Sequence, residues 1–240
     1  MTVKRNVEAV QEQIQAACRR AGRDAQTVKL MAVTKNQPRE AVMEAYEAGV
    51  RLFGENRVQE AAEKYYDLPQ DLELHLVGHL QRNKAKRAAE LFQAVESIDK
   101  LETAQALAKR IADQEATAPD SGLTAAMPVF VEVNTSGEET KHGVEDEQEL
   151  HRLVSDLVEI PQLRMSGLMT IGPLTRDEKP LRDAFSHLRE LRDGVRKDFA
   201  DLDELELSMG MTNDFAIAIE EGATLVRIGT ALFGARLASV

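Results

Sequence analysis

Short apolar runs rich in β-branched residues alternate along the chain with longer segments whose apolar positions recur at helical spacing. Before the first run, residues 3–22 form one additional segment with helical spacing. This alternation predicts parallel strands joined by helices through right-handed crossovers. The runs with strand character cover residues 28–35, 51–56, 72–80, 92–99, 128–134, 163–171, 205–211 and 224–229.

The segments between the strands carry recognisable helix ends. A helical stretch that begins near Pro38 is followed by Gly49, where a glycine after a helix C-terminus belongs. Asp99 and Glu102 have the spacing of a capping box at the start of a further helix. These signals support helices as the connections between successive strands.

A closed barrel and an open doubly wound sheet both satisfy the alternation. The 240 residues divided among eight units leave 30 residues for each strand and helix, which is typical of eight-stranded barrels. We therefore predict the α/β class and a single (β/α)8 TIM barrel with an extra N-terminal helix. Residues 1–240 form one domain in this interpretation, with residues 116–127 as a flexible loop insertion.

The amino-acid composition argues against some classes of binding partner. The chain has 30 Lys and Arg against 41 Asp and Glu, and its net charge of −11 argues against nonspecific nucleic-acid binding. The single cysteine, Cys18, cannot form an internal disulfide and indicates a reducing compartment. The sequence has neither the apolar centre of a signal peptide nor an apolar stretch of the ~20 residues that a membrane span needs. We expect a cytoplasmic protein without nucleic-acid or membrane partners.

Lys35 is the first candidate for chemistry, because active residues of such barrels lie where strands end. It shares side-chain parity with Met31 and Val33, so an inward-facing strand would bring its amine to the barrel mouth. Partial burial lowers the pKa of a lysine and yields the neutral amine that attacks an aldehyde. The alternative is a solvated lysine at the end of a strand.

The last strand adds a basic group and a phosphate site. Arg227 shares parity with Leu225 and Gly229, which points it toward the barrel interior. Gly229 and Thr230 open a short helix whose free backbone N–H groups suit a phosphate, and Ser208 lies at the neighbouring strand end. The alternative is a glycine turn beside a structural ion pair of the arginine.

Two further segments lie near the predicted mouth. Asn56 follows the second strand and suits either a cofactor oxygen or a helix cap. His75 and His79 are four residues apart, in a run that is predicted to be a strand followed by a loop. The sequence offers no apparent third ligand beside them, so we expect no metal site.

Six motifs carry a resemblance to a known family. AVTKNQP, FGENRVQE, HLVGHLQRNK, GLMTIGP, LSMGMTNDF and VRIGTALFG follow one another in the order of the pyridoxal phosphate homeostasis protein family. That family resembles the N-terminal barrel domain of bacterial alanine racemase. The resemblance covers about residues 28–236, and it implies a (β/α)8 barrel that holds pyridoxal 5′-phosphate (PLP) as an aldimine on Lys35.

The resemblance also implies the other cofactor contacts. The ring nitrogen would meet Arg227, and the phosphate would lie against Ser208, Gly229 and Thr230, with Asn56 near the side of the ring. The loop at 116–127 is longer than is usual for the family. It precedes the fifth strand and bears on none of these contacts.

Catalysis is not expected from this set of residues. A carboxylate that faces the ring nitrogen favours its protonation, whereas a guanidinium does not. The unprotonated ring stabilises a carbanion poorly. Alanine racemase tolerates such an arginine because a tyrosine from a partner's C-terminal domain serves as a second base. The tyrosines of this chain, Tyr46, Tyr65 and Tyr66, fall on early helices, and the chain ends at Val240. We therefore predict no catalytic residues.

The leading hypothesis is a non-catalytic PLP-binding protein of intracellular PLP homeostasis. It would buffer or deliver the cofactor as a monomer, with PLP-dependent apoenzymes as recipients and effects on amino-acid and keto-acid metabolism. One alternative is a PLP-dependent racemase or decarboxylase of small amino acids. Another is a Schiff-base aldolase that uses Lys35 on a phosphorylated aldehyde.

Overall fold

A closed parallel barrel forms the centre of the molecule. The computed structural model describes residues 2–117, 126–138, 140–202 and 204–234. Strands β1 to β8 are hydrogen-bonded in chain order, and β8 returns to pair with β1. Every strand pair is parallel. The predicted (β/α)8 barrel is confirmed, and the open sheet is excluded because such a sheet leaves two strand edges unpaired.

Each strand coincides with one of the predicted apolar runs. The runs extend beyond the strands because they also contain the first loop residues at the barrel mouth. The strands are β1 Lys29–Val33, β2 Leu52–Glu55, β3 Glu73–Leu76, β4 Ala94–Ile98, β5 Met127–Glu132, β6 Leu163–Met169, β7 Glu206–Ser208 and β8 Leu225–Ile228.

Helices surround the barrel and include the expected additional N-terminal helix. The helices are α1 Val3–Arg20, α2 Arg39–Glu47, α3 Val58–Lys64, α4 Ala85–Leu91, α5 Leu101–Thr117, α6 Glu147–Val158, α7 Glu178–Asp198, α8 Phe215–Glu220 and α9 Thr230–Phe233. Helix α1 packs against α8 and α9, and Asn6 Nδ2 donates to Leu232 O at 2.7 Å. Within the described ranges, no helix is long and apolar enough to cross a membrane.

Two separate sets of buried side chains stabilise the barrel. The larger set lies between the strands and the helices, where each fully buried aliphatic or aromatic side chain contributes about 1.5–3 kcal/mol. A small apolar cluster inside the barrel contains Met31, Val33, Leu52 and Leu225. This cluster agrees with the predicted alternation of side chains along β1, which places Met31 and Val33 on the same, interior face.

Two local predictions need correction. Of the loop predicted at 116–127, residues 116–117 belong to α5 and residue 127 begins β5, while residues 118–125 lie outside the described residues. The capping prediction for Asp99 is wrong. Helix α5 begins at Leu101, the first-turn amide of Ala104 donates to Lys100 O, and Asp99 Oδ1 has no hydrogen-bond partner within the described chain. The carboxylate comes one residue too early to cap the helix.

Candidate functional site

The predicted residues converge on one side of the barrel mouth. Lys35 follows β1, Asn56 follows β2, and Gly229 follows β8; these strands are neighbours in the order β8-β1-β2. Lys35 is half-buried. A Cβ added at Gly229 would lie 3.1 Å from Val33 O, so the end of β8 packs tightly against β1. The close packing explains the glycine at this position.

Arg227 is buried in the barrel interior and is held by the ends of β7 and β6, the two strands that precede β8 in the barrel. Its Nη1 donates to Ser208 O and to Ser208 Oγ, both at 2.7 Å, and its Nη2 donates to Thr170 O at 2.6 Å. Ser208 Oγ in turn donates to Glu96 Oε2 at 2.6 Å. Burial lowers the pKa of Arg227, and the carboxylates of Glu96 and Glu132 act in the opposite direction. The guanidinium therefore has a structural role in the barrel as well as a place near the mouth.

A chain of alternating charges runs below Arg227. Glu96 Oε1 lies 2.7 Å from His75 Nδ1, and Glu73 Oε1 lies 3.2 Å from His75 Nε2. Burial by itself lowers the pKa of His75, but the bonds to Glu73 and Glu96 raise it to about 9. Burial likewise raises the pKa of Glu96, yet His75, Arg227 and Ser208 keep it below its usual range. Glu96 is thus an anion between two cations, and both ring nitrogens of His75 are occupied.

Glu132 is a second acidic side chain near the guanidinium. It lies at the end of β5, and burial raises its pKa to about 7, although Arg227 lowers it. The sequence motifs did not single out Glu132, Glu96 or Thr170 as site residues. A signal was present, because each interrupts or ends an otherwise apolar strand run.

A buried ion pair fixes the segment next to Lys35. Lys64 Nζ donates to Thr34 O at 2.6 Å and to Glu55 Oε1 at 2.7 Å. Thr34 Oγ1 lies 2.6 Å from both Glu55 Oε1 and the hydroxyl of Tyr65. Burial raises the pKa of Tyr65 well above its usual range, which keeps the phenol neutral. Because consecutive residues of an extended strand face opposite sides, this cluster supports β1 from outside the barrel.

Thr212, a residue that the sequence did not mark as part of the site, places its hydroxyl against the final helix. Thr212 Oγ1 accepts a hydrogen bond from the Ala231 amide at 3.2 Å, in the first turn of α9. The first N–H groups of any helix lack partners within that helix. In α9, the amides of Leu232 and Phe233 donate to Gly229 O, and that of Ala231 donates to Thr212. Thr212 and Thr230 therefore bring two hydroxyl-bearing side chains to the first turn of this helix. The hydroxyl of Ser208 is already used by Glu96 and Arg227.

Asn56 does not cap the following helix. Helix α3 begins at Val58, and the preceding Arg57 makes no side-chain capping bond. A Cβ at Gly78 would overlap the backbone of Asn56, so the end of β3 packs directly against it. The helix-cap alternative for Asn56 is therefore wrong, and its half-buried side chain stays at the mouth.

The chain matches one protein family along almost its whole length. Residues 6–237 match the alanine racemase N-terminal domain, and the chain belongs to that family. It is 44% identical over 237 residues to the pyridoxal phosphate homeostasis protein of Pseudomonas aeruginosa, covering 98% of this chain and 96% of that protein. The corresponding protein of Aquifex aeolicus is 41% identical, with 98% and 99% covered. Within the larger family, the chain is a member of the pyridoxal phosphate homeostasis protein family.

Solved structures agree with this assignment. PipY of Synechococcus elongatus PCC7942, determined with PLP bound, has a TM-score of 0.82 and 33% identity, and the match covers 97% of this chain and 100% of PipY. Alanine racemase of Bacillus anthracis has a TM-score of 0.66 at 18% identity, with 97% of this chain and 57% of the racemase covered. That second likeness shows a shared fold only.

The charge of His75 predicts a pH-dependent stability. With a folded pKa of about 9 against an ordinary value of 6.5, the imidazolium stabilises the fold fully below pH 6.5 and loses this effect as pH rises toward 9. At about 1.4 kcal/mol per pH unit, the free energy of unfolding should fall by about 3 kcal/mol across this range. Urea unfolding measured across the same range checks the value.

Two variants isolate the contribution of His75. His75→Gln should remove this component of the pH profile, whereas His187→Gln, which changes an exposed histidine of α7, should retain it. Parallel pH profiles for wild-type protein and His75→Gln would contradict a charged His75.

Proposed function

We propose that this protein binds PLP at the barrel mouth and serves in intracellular PLP homeostasis, where it buffers or delivers the cofactor. The observation that carries the proposal is the buried guanidinium of Arg227, which is anchored in the barrel below the mouth where Lys35 lies. The family relationship supports it, since PipY is a relative described with PLP bound.

The chemistry of the donor set fits the three functional groups of PLP. The amine of Lys35 suits the aldehyde carbon and would form the covalent bond. Arg227 has five N–H donors, of which three take part in the bonds described above, so donors remain for the ring nitrogen. Gly229 and Thr230 suit the phosphate, and Asn56 lies on the adjacent side of the mouth. PLP, when bound, supplies an electron-withdrawing ring.

We assign Ser208 a different task from the one first expected. Its hydroxyl donates to Glu96 and accepts from Arg227, so it positions the guanidinium. A phosphate contact at the same oxygen would bring the phosphate charge toward the buried carboxylate of Glu96. In this proposal Thr212 joins Gly229 and Thr230 at the phosphate, and Ser208 acts through Arg227.

Robust catalysis is not part of the proposed function. A guanidinium accepts no proton and donates none readily, so Arg227 keeps a facing ring nitrogen unprotonated and weakens carbanion stabilisation. Tyr65 is not a base either, because its neutral phenol is hydrogen-bonded to Thr34. The names of the curated relatives favour homeostasis over the racemase, decarboxylase and aldolase alternatives.

The cellular setting follows from the same features. We propose a cytoplasmic monomer that passes PLP to PLP-dependent apoenzymes. The net charge of −11 and the single cysteine support this setting.

Lys35 should carry the covalent attachment. Borohydride reduction of PLP-loaded protein followed by peptide mass spectrometry is expected to place a phosphopyridoxyl group on Lys35. Lys35→Ala should lose both this adduct and the visible absorption band, because the bond needs a primary amine. Lys86→Ala, at an exposed position of α4, should keep both. An adduct found on Lys84 or Lys141 instead would refute the assignment.

The phosphate contacts should separate PLP from pyridoxal, which lacks the phosphate. The double variant Thr212→Val/Thr230→Val is expected to weaken PLP binding at least tenfold, since each hydrogen bond to a charged group contributes about 1.5–3 kcal/mol. Pyridoxal binding should change little. Ser208→Ala should weaken both ligands to a similar degree, because it acts through Arg227. Equal weakening of both ligands by the double variant would show that these threonines do not hold the phosphate.

PLP-loaded protein is expected to racemise L-alanine no faster than the Lys35→Ala control. The physical reason is the unprotonated ring nitrogen opposite Arg227. In addition, a missing acid–base group typically lowers the rate by roughly 10²–10⁴-fold. Chiral analysis of alanine after prolonged incubation measures this. Turnover above ~1 per second in wild-type protein that disappears in the control would establish an enzyme instead.

A further inference from the structure

Three side chains that commonly bind metals converge beside the proposed PLP site. His79 follows β3, Asp99 follows β4 and His142 follows β5, and their ligand atoms all lie within 4.8 Å of one another. The rings of His79 and His142 stack with centroids 4.4 Å apart. His79 Nδ1 lies 3.7 Å from Asp99 Oδ2, which is longer than a hydrogen bond. The three groups are thus close together without being joined by hydrogen bonds of ordinary length.

Asp99 is the anchor of this cluster. Its side chain is 5% exposed, and its Oδ1 is buried without a hydrogen bond to any described residue. Helix α5 begins too late for the carboxylate to cap it. A buried carboxylate oxygen that accepts no hydrogen bond is costly, and a bound cation would remove that cost.

We propose that His79, Asp99 and His142 bind a divalent transition-metal ion of the zinc class. Two imidazole nitrogens and one carboxylate oxygen form a donor set that zinc accepts, and three protein ligands leave a fourth position open. Tetrahedral coordination at bond lengths of about 2.0–2.1 Å requires ligand atoms about 3.3 Å apart. His79 and His142 are exposed, so their rings can rotate from the stacked arrangement to meet the ion while Asp99 stays in place.

The neighbouring cavity indicates what occupies the fourth position. A cavity of about 450 Å³ adjoins the cluster and is lined by His79, Arg82, Lys100, Glu102 and other residues. The two cationic side chains oppose a bare metal ion, but they favour an anion bound to it. A carboxylate or phosphate group of a small molecule therefore suits the open position. The ion would also tie together the loops after β3, β4 and β5.

His75 and His79, four residues apart in sequence, do not belong to one cluster in the described structure. The structure instead places His75 between two carboxylates inside the barrel. Asp99 and His142 reach His79 only because consecutive strand ends meet at one mouth. The expectation of no metal site arose because no third ligand lies beside the two histidines in sequence. Barrel closure brings Asp99 and His142 to His79 from elsewhere in the chain.

Zinc titration of tag-free, full-length protein against a chromophoric chelator tests the site. One equivalent should bind, and His142→Ala and Asp99→Asn should each weaken binding at least tenfold, since loss of even a supporting outer residue costs about 10–100-fold. His187→Ala should bind zinc as wild-type protein does. The Lys35→Ala protein should also retain zinc, which separates this site from PLP itself and from the proposed function.

A stability measurement guards against a variant that merely folds badly. At one equivalent, zinc should raise the Tm of wild-type protein and of His187→Ala clearly more than that of His142→Ala. His142 is an exposed loop residue. Cobalt in the same site should give the visible bands of tetrahedral coordination. Unchanged zinc affinity in His142→Ala and Asp99→Asn, or equal loss in His187→Ala, would overturn the proposal.

Discussion

A guanidinium inside a barrel costs several kcal/mol in lost hydration unless neighbouring groups replace the water. In this chain those groups are the carbonyl and hydroxyl of Ser208, the carbonyl of Thr170 and the negative charge of Glu96. Glu96 in turn needs His75 to remain charged. The barrel interior is therefore organised around Arg227, and the placement of each of these polar residues follows from the need to compensate it.

The apolar shell outside the strands allows such a polar interior. Helices packed on the barrel bury the larger apolar core. Burial of this core supplies favourable free energy that, in other barrels, comes partly from apolar side chains inside the barrel. On that outer side, Lys64 and Glu55 fix Thr34. The position of Lys35 thus depends on ion pairing outside the wall, whereas the position of Arg227 depends on ion pairing within it.

The strands were predictable from sequence because parallel strands buried on both faces read as continuous apolar runs. Parity along β8 also indicated the interior position of Arg227, whereas the placement of the Lys35 amine at the mouth remains a prediction. The link from Arg227 through Ser208 to Glu96 was not predictable, since Ser208 and Glu96 are separated by 112 positions and meet only through barrel closure. The capping prediction for Asp99 failed for a related reason, because the loop path sets where a helix begins.

The ionic interior also constrains how this scaffold can change over generations. A glutamate at position 227 would face the carboxylates of Glu96 and Glu132 with no guanidinium to balance their charge. Such a variant would lose a charge that helps to keep Glu96 ionised, and it would be destabilised unless neighbouring acidic positions changed with it. The interior charges are therefore coupled, and a redesign of position 227 in the laboratory has to compensate Glu96 and Glu132 at the same time.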